Sequence, residues 1–146
     1  MSKRNKETIE QKIVIGFFRG IWWLITLPFK GLRRKKQLNL EDKKYIILKR
    51  QEIESYLKSE NHLELRHAVF EADKLVDFVL KKRNYHGETF ADRLRSAEKF
   101  TTPAVYNNIW QAHKVRNQIA HEDNAAISNQ TLKNAINLFL VCLRSI

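Results

Sequence analysis

At 146 residues, 43% of them hydrophobic, the chain is long enough for one domain with an appendage and too short for several. Four Gly, two Pro and the lack of sustained apolar–polar alternation exclude a sheet protein and predict an all-α fold, while the single Cys142 excludes an intrachain disulfide and fits a buried thiol in a reducing compartment. The net charge of +11 is uneven: residues 1–36 hold ten Lys/Arg against two Glu, and residues 37–146 hold seventeen against fourteen Asp/Glu. The excess flanks an apolar segment, which favours anionic lipid over nucleic acid as its partner.

Residues 1–37 read as a basic leader and residues 38–146 as a helical domain. Within the leader, residues 13–29 are almost wholly apolar, with Arg19 as the only charge, followed by the basic block Lys30, Arg33, Arg34, Lys35 and Lys36. A cleaved signal peptide does not fit, because Arg19 interrupts the apolar run and no small-residue cleavage site follows. A transmembrane span is at the short limit, about 26 Å as a helix. Arg19 near its centre would cost roughly 2.5–3.5 kcal/mol on insertion. Placed at about 100° per residue, Lys12, Gly16, Arg19, Trp23, Thr26 and Lys30 share a narrow stripe opposite Val14, Phe17, Phe18, Ile21, Leu24 and Ile25. That describes an amphipathic helix with a wide apolar face, lying in the headgroup region with Trp22 and Trp23 at interfacial depth. A spanning helix and an in-plane or re-entrant helix both remain open, beside a plain soluble core helix. Either membrane mode holds the domain on the cytoplasmic side, because the denser basic block lies on its side of the run.

In the domain, Asn39 or Leu40 opens a first helix that runs to about Ser59, with Ile46, Ile53 and Leu57 inward. A second, the most regular, repeats Leu65, Ala68, Val69, Ala72, Leu75, Val76 and Val79 to about Lys82. Its outer face is expected to carry Glu64, Arg66, Glu71, Asp73, Lys74 and Asp77. Asn84-Tyr85-His86-Gly87 turns the chain. Thr89 opens a short helix to about Phe100, and Thr102-Pro103 caps a fourth that runs to about His121 and is closed by Asp123-Asn124. Ser128 or Asn129 caps a last helix with Leu132, Ala135, Ile136, Phe139, Leu140 and Leu143 inward. Five helices with short connections predict an antiparallel bundle around one modest core.

The fourth helix carries the candidate chemistry. With Arg116 at zero, Val105, Ile109, Ala112, Val115 and Ile119 cluster on one side as core. The neighbouring sector holds Tyr106, Trp110, His113, Asn117 and His121. This flank is too polar for a core and too aromatic for a solvated face, so it reads as a protein interface whose edge holds a reactive pocket. Arg116 and His121 point about 140° apart on one helix. They meet on one phosphate only at a helix end or across two subunits.

Arg116-Asn117-Gln118-Ile119-Ala120-His121 resembles the Arg-polar-x3-His motif of HEPN domains, helical modules named for higher eukaryotes and prokaryotes nucleotide-binding. The resemblance extends over most of residues 40–146, including Glu71-Ala72-Asp73-Lys74-Leu75 and the turn Tyr85-His86-Gly87-Glu88-Thr89. It implies a metal-independent endoribonuclease, without cofactor, whose site forms across a homodimer. His121 would then be the general acid or base, Arg116 the phosphate clamp and Asn117 an orienting group. Other relatives are non-catalytic binding or assembly modules. Family members paired with a nucleotidyltransferase antitoxin often carry Tyr two residues after the His, where this chain has Asp123. The chemistry is sound on its own terms: a free imidazole titrates at about pH 6.5, and a guanidinium forks onto phosphate oxygens.

A structural reading stands beside it. Lys114, Arg116 and His121 near a helix C-terminus are favoured by the dipole alone, and Arg116 could pair with Glu71 or Asp73. The histidines at 62, 67, 86, 113 and 121 share no metal-ligand spacing, so no metal is expected.

Overall fold

Caps set the helix starts along the chain. The computed structural model describes residues 36–121 and 127–146; the leader helix expected over residues 13–29 and the closing Asp123-Asn124 lie outside them. Among the described residues there are five α-helices and no strand.

Helix α1 spans Leu40–Tyr56, with Asn39 Oδ1 accepting the Asp42 amide at 2.6 Å and Glu41 and Asp42 facing the positive end of the dipole. It ends three residues before the expected Ser59, in turn bonds from Leu57 to Glu54 and Ser59 to Tyr56. Helix α2 spans His62–Lys82. Asn61, expected only as part of a break, is its N-cap, with Oδ1 accepting from Leu63 at 2.9 Å. It closes through Asn84 at φ 65, whose left-handed backbone lets the Tyr85 amide reach the Leu80 carbonyl at 3.0 Å. Helix α3, Phe90–Ala97, starts on a reciprocal capping box between Thr89 and Asp92 and runs into a 3₁₀ turn, Glu98–Phe100. Helix α4 is Pro103–His121, its first turn tied by the Val105 amide to Thr102 Oγ1 at 3.3 Å. Helix α5, Asn129–Cys142, is capped by Ser128 accepting from Thr131.

Helix α2 is the central pillar, packed against all four others. Leu65, Val69, Ala72, Val76 and Leu80 from it meet Ile109 and Ala112 of α4 and Leu132, Ile136 and Phe139 of α5, all essentially buried. Each such leucine or isoleucine contributes roughly 1.5–3 kcal/mol by leaving water. Helix α1 contributes only Ile53 to the fully buried set, with Ile46 and Leu57 half-buried. Cys142 is buried, and that burial pushes its thiol above the ordinary range.

The expected outer face of α2 is not a uniform solvated face. Arg66, Phe70, Asp73 and Asp77 form a second stripe at helical spacing beside the apolar one. Asp73 is 6% exposed, and Asp77 receives a two-pronged ion pair from the buried Arg93 at 2.7 and 3.0 Å. Arg93 also donates to the carbonyls of Gly87 and Glu88, at 2.7 and 3.0 Å, so one guanidinium joins α2, α3 and the turn between them. The physical reason is neighbouring structure: α3 and α4 cover this flank, and a covered polar group must find a partner.

Candidate functional site

The site grows from the antiparallel register of α2 and α4. His113 and Arg116 are three residues apart on α4, so their side chains leave on neighbouring lines. Both meet Asp73. His113 Nδ1 lies 2.7 Å from Asp73 Oδ1, and Arg116 Nε lies 3.7 Å from Asp73 Oδ2. The Asp73 oxygen accepts from Nδ1 in the tautomer that carries its proton there. The 3.7 Å separation is an ion pair without a hydrogen bond, and Arg116 Nε is buried without a hydrogen-bonding partner.

Arg116 is held on two further sides. Its guanidinium lies 5.2 Å from the centre of the Phe70 ring, and its Nη1 donates to Asn117 Oδ1 at 3.2 Å. With Nε turned inward, the Nη2 edge makes no hydrogen bond among the described residues, and the side chain is 35% exposed. The result is a cation fixed from behind by a buried acid, with donors left over on its open edge. Of the two acids considered for Arg116, Asp73 is the partner. Glu71 instead lies between Lys74 and Lys49, each at 2.9 Å, and their hydrogen bonds hold its carboxyl below the ordinary range.

The aromatic flank of α4 divides. His113 is buried, stacked on Phe90 of α3 at 4.2 Å with planes 12° apart, and therefore turned into its own fold. Trp110 is half-buried, edge-on to both His113 and Tyr106, with the Arg95 guanidinium 5.8 Å from its ring centre. Tyr106 is half-buried and Asn117 partly exposed. Groups on α3 thus cover part of a flank that the helical wheel left open.

His121 is the last residue of α4 and is exposed, with no hydrogen bond or ion pair among the described residues. The helix stays regular through it, so Arg116 and His121 leave on different sides. The helix end is fastened by Arg66, whose Nη2 donates to the Ile119 carbonyl at 3.1 Å. One chain therefore brings Asp73, His113, Arg116 and Asn117 together and leaves His121 apart. Lys36 is exposed; the other leader residues singled out lie outside the described chain.

Asp73, Phe70, Phe90 and Arg93 carry more of this arrangement than sequence reasoning gave them. The available signal was the spacing of Arg66, Phe70, Asp73 and Asp77, too regular for a randomly solvated face. Among the described residues, no three His, Cys, Asp or Glu side chains group as a metal site requires. Comparison with known proteins returns no match to a family model, a curated protein or a solved structure.

Proposed function

We propose that the chain is a HEPN-like, membrane-tethered endoribonuclease that acts without metal and as a dimer. Arg116 neutralises the scissile phosphate through its outward donors, and Asn117 orients it. His121 moves the proton, taking it from the ribose 2′-hydroxyl or giving one to the leaving oxygen. Because Arg116 and His121 diverge on one helix, His121 of the partner subunit completes the site. The basic leader ties the bundle to an anionic membrane through residues 13–36.

One observation carries the reading: Arg116 is pre-oriented by Asp73, Phe70 and Asn117 yet keeps an open edge. A guanidinium serving only the core would spend its donors inward, as Arg93 does. The test is cleavage of single-stranded RNA in EDTA by the full chain. Arg116→Ala and His121→Ala should each abolish it, and wild-type activity that survives both changes contradicts it.

A second reading has its own support in the paired, inward-facing His113. On that reading the bundle is a non-catalytic dimerisation or RNA- or nucleotide-binding module, assembled through Tyr106 and Trp110. Trp110→Glu would then yield a monomer, and RNA would stay intact with every version.

A further inference from the structure

Helix α1 exposes more apolar surface than a helix at the edge of a small bundle needs. Leu40, Ile47 and Leu48 are 66%, 55% and 66% exposed. At about 100° per residue they share one side of α1 with Lys44, roughly opposite the buried Ile53. The stripe is graded along the helix: beyond Leu48 the same side continues as Gln51 and Ser55, both polar and exposed. The apolar part is about 12 Å long and lies wholly in the N-terminal half.

Cations gather at that end. Lys36, Lys43 and Lys44 are exposed, and the C-terminus of α2 adds Lys81, Lys82 and Arg83. The two elements are tied there: Lys82 pairs with Asp42 at 2.7 Å, and the Lys36 amide reaches the Arg83 carbonyl at 3.4 Å. Six cations thus stand with three acids, Glu41, Asp42 and Asp77, each beside a lysine, and Asp77 is paired with Arg93 as well. This is also where the chain arrives from its leader: Lys36 is the last residue of the basic block, and Leu40 follows within about 14 Å even if fully extended.

We propose that the outward face of the first half of α1 is a second membrane contact, with Leu40, Ile47 and Leu48 set into an anionic bilayer beside Lys43 and Lys44 and near the cations at that end of the bundle. The proposal rests on the leader tether put forward above and adds a contact made by the folded bundle itself. Exposed leucines framed by lysines combine apolar burial with attraction to anionic headgroups. A second copy seated in parallel on the same face would bring the two cationic ends together, which their charge opposes. The bundle would then hold a fixed attitude on the membrane.

Because Cys142 is the only cysteine and is buried, Leu48→Cys in the full chain can be labelled selectively with an environment-sensitive fluorophore, and Ser55→Cys serves as the control. On phosphatidylserine–phosphatidylcholine vesicles the label at 48 should brighten and shift to the blue while that at 55 stays in a water-like environment. Leu40→Glu combined with Leu48→Glu, unlabelled, should weaken vesicle binding about tenfold at unchanged thermal stability, since both positions are exposed. A chain that sediments with the vesicles while the label at 48 stays water-like overturns the proposal and leaves the tether standing. A chain that does not bind vesicles at all overturns both. A label at 48 already shielded without lipid, in a dimer, assigns the face to a second copy and overturns the membrane contact.

Discussion

Asp73 is the residue on which the arrangement around Arg116 depends most. Asp73→Asn keeps its volume and an acceptor for His113, but exchanges a charge-assisted hydrogen bond for a neutral one. Hydrogen bonds to charged groups contribute about 1.5–3 kcal/mol and neutral ones about 1 kcal/mol, so this exchange costs roughly 0.5–2 kcal/mol. The Arg116 ion pair adds less than about 1 kcal/mol, because it is long and its guanidinium is one-third exposed. Asp73→Ala removes the acceptor and leaves the buried Nδ1–H of His113 without a partner, for a total of about 3–5 kcal/mol. Urea denaturation of the full chain reads both values, and the alanine variant should be clearly the weaker. Combining Asp73→Asn with Arg116→Ala should show a coupling of about 0.5–1 kcal/mol. An alanine variant within about 0.5 kcal/mol of wild type, as for an ordinary surface position, refutes the reasoning.

Two other sites give sharp expectations. Gly87 has φ +146, and a Cβ there would lie 2.6 Å from the Arg93 amide nitrogen, so Gly87→Ala should destabilise the domain by about 2 kcal/mol or more; a thermal melt equal to wild type would show the turn is not constrained. Burial pushes the Asp77 carboxyl up, but the hydrogen bonds from Arg93 and Lys81 outweigh it and hold it below the ordinary carboxylate range. A depressed folded-state value means stability present above about pH 4 and lost as pH falls through that lower value. Denaturation at a series of pH values between about 5 and 3 should therefore show a shallower loss in Asp77→Asn than in wild type, and parallel curves would remove Asp77 from the account.

Much of the fold was legible because local signals agreed with one another. Apolar spacing marked the inner faces of α2 and α5, while Thr89, Thr102 and Ser128 marked helix starts through the hydrogen bonds they accept. The site was legible only in part, for a physical reason. Angular position on α4 correctly separated Ile109, Ala112 and Ile119 as core but set His113 on a partner-facing flank. A wheel gives the direction of a side chain and not what stands opposite it. Phe90 from α3 and Asp73 from α2 stand opposite His113, and together they make burial of an imidazole favourable. The same gap hid Arg93, whose partners come from α2 and from two carbonyls of the turn before α3.

The most direct test of the proposed activity is the cleavage of single-stranded RNA in EDTA by a mixture of Arg116→Ala and His121→Ala chains. If the site takes Arg116 from one subunit and His121 from the other, each variant alone is inactive, and mixing restores a fraction of wild-type cleavage by forming one intact site per mixed dimer. Cleavage by either variant alone would contradict the assignment. Exchanged subunits that stay inactive together, beside an active wild type, would contradict a site completed across the dimer.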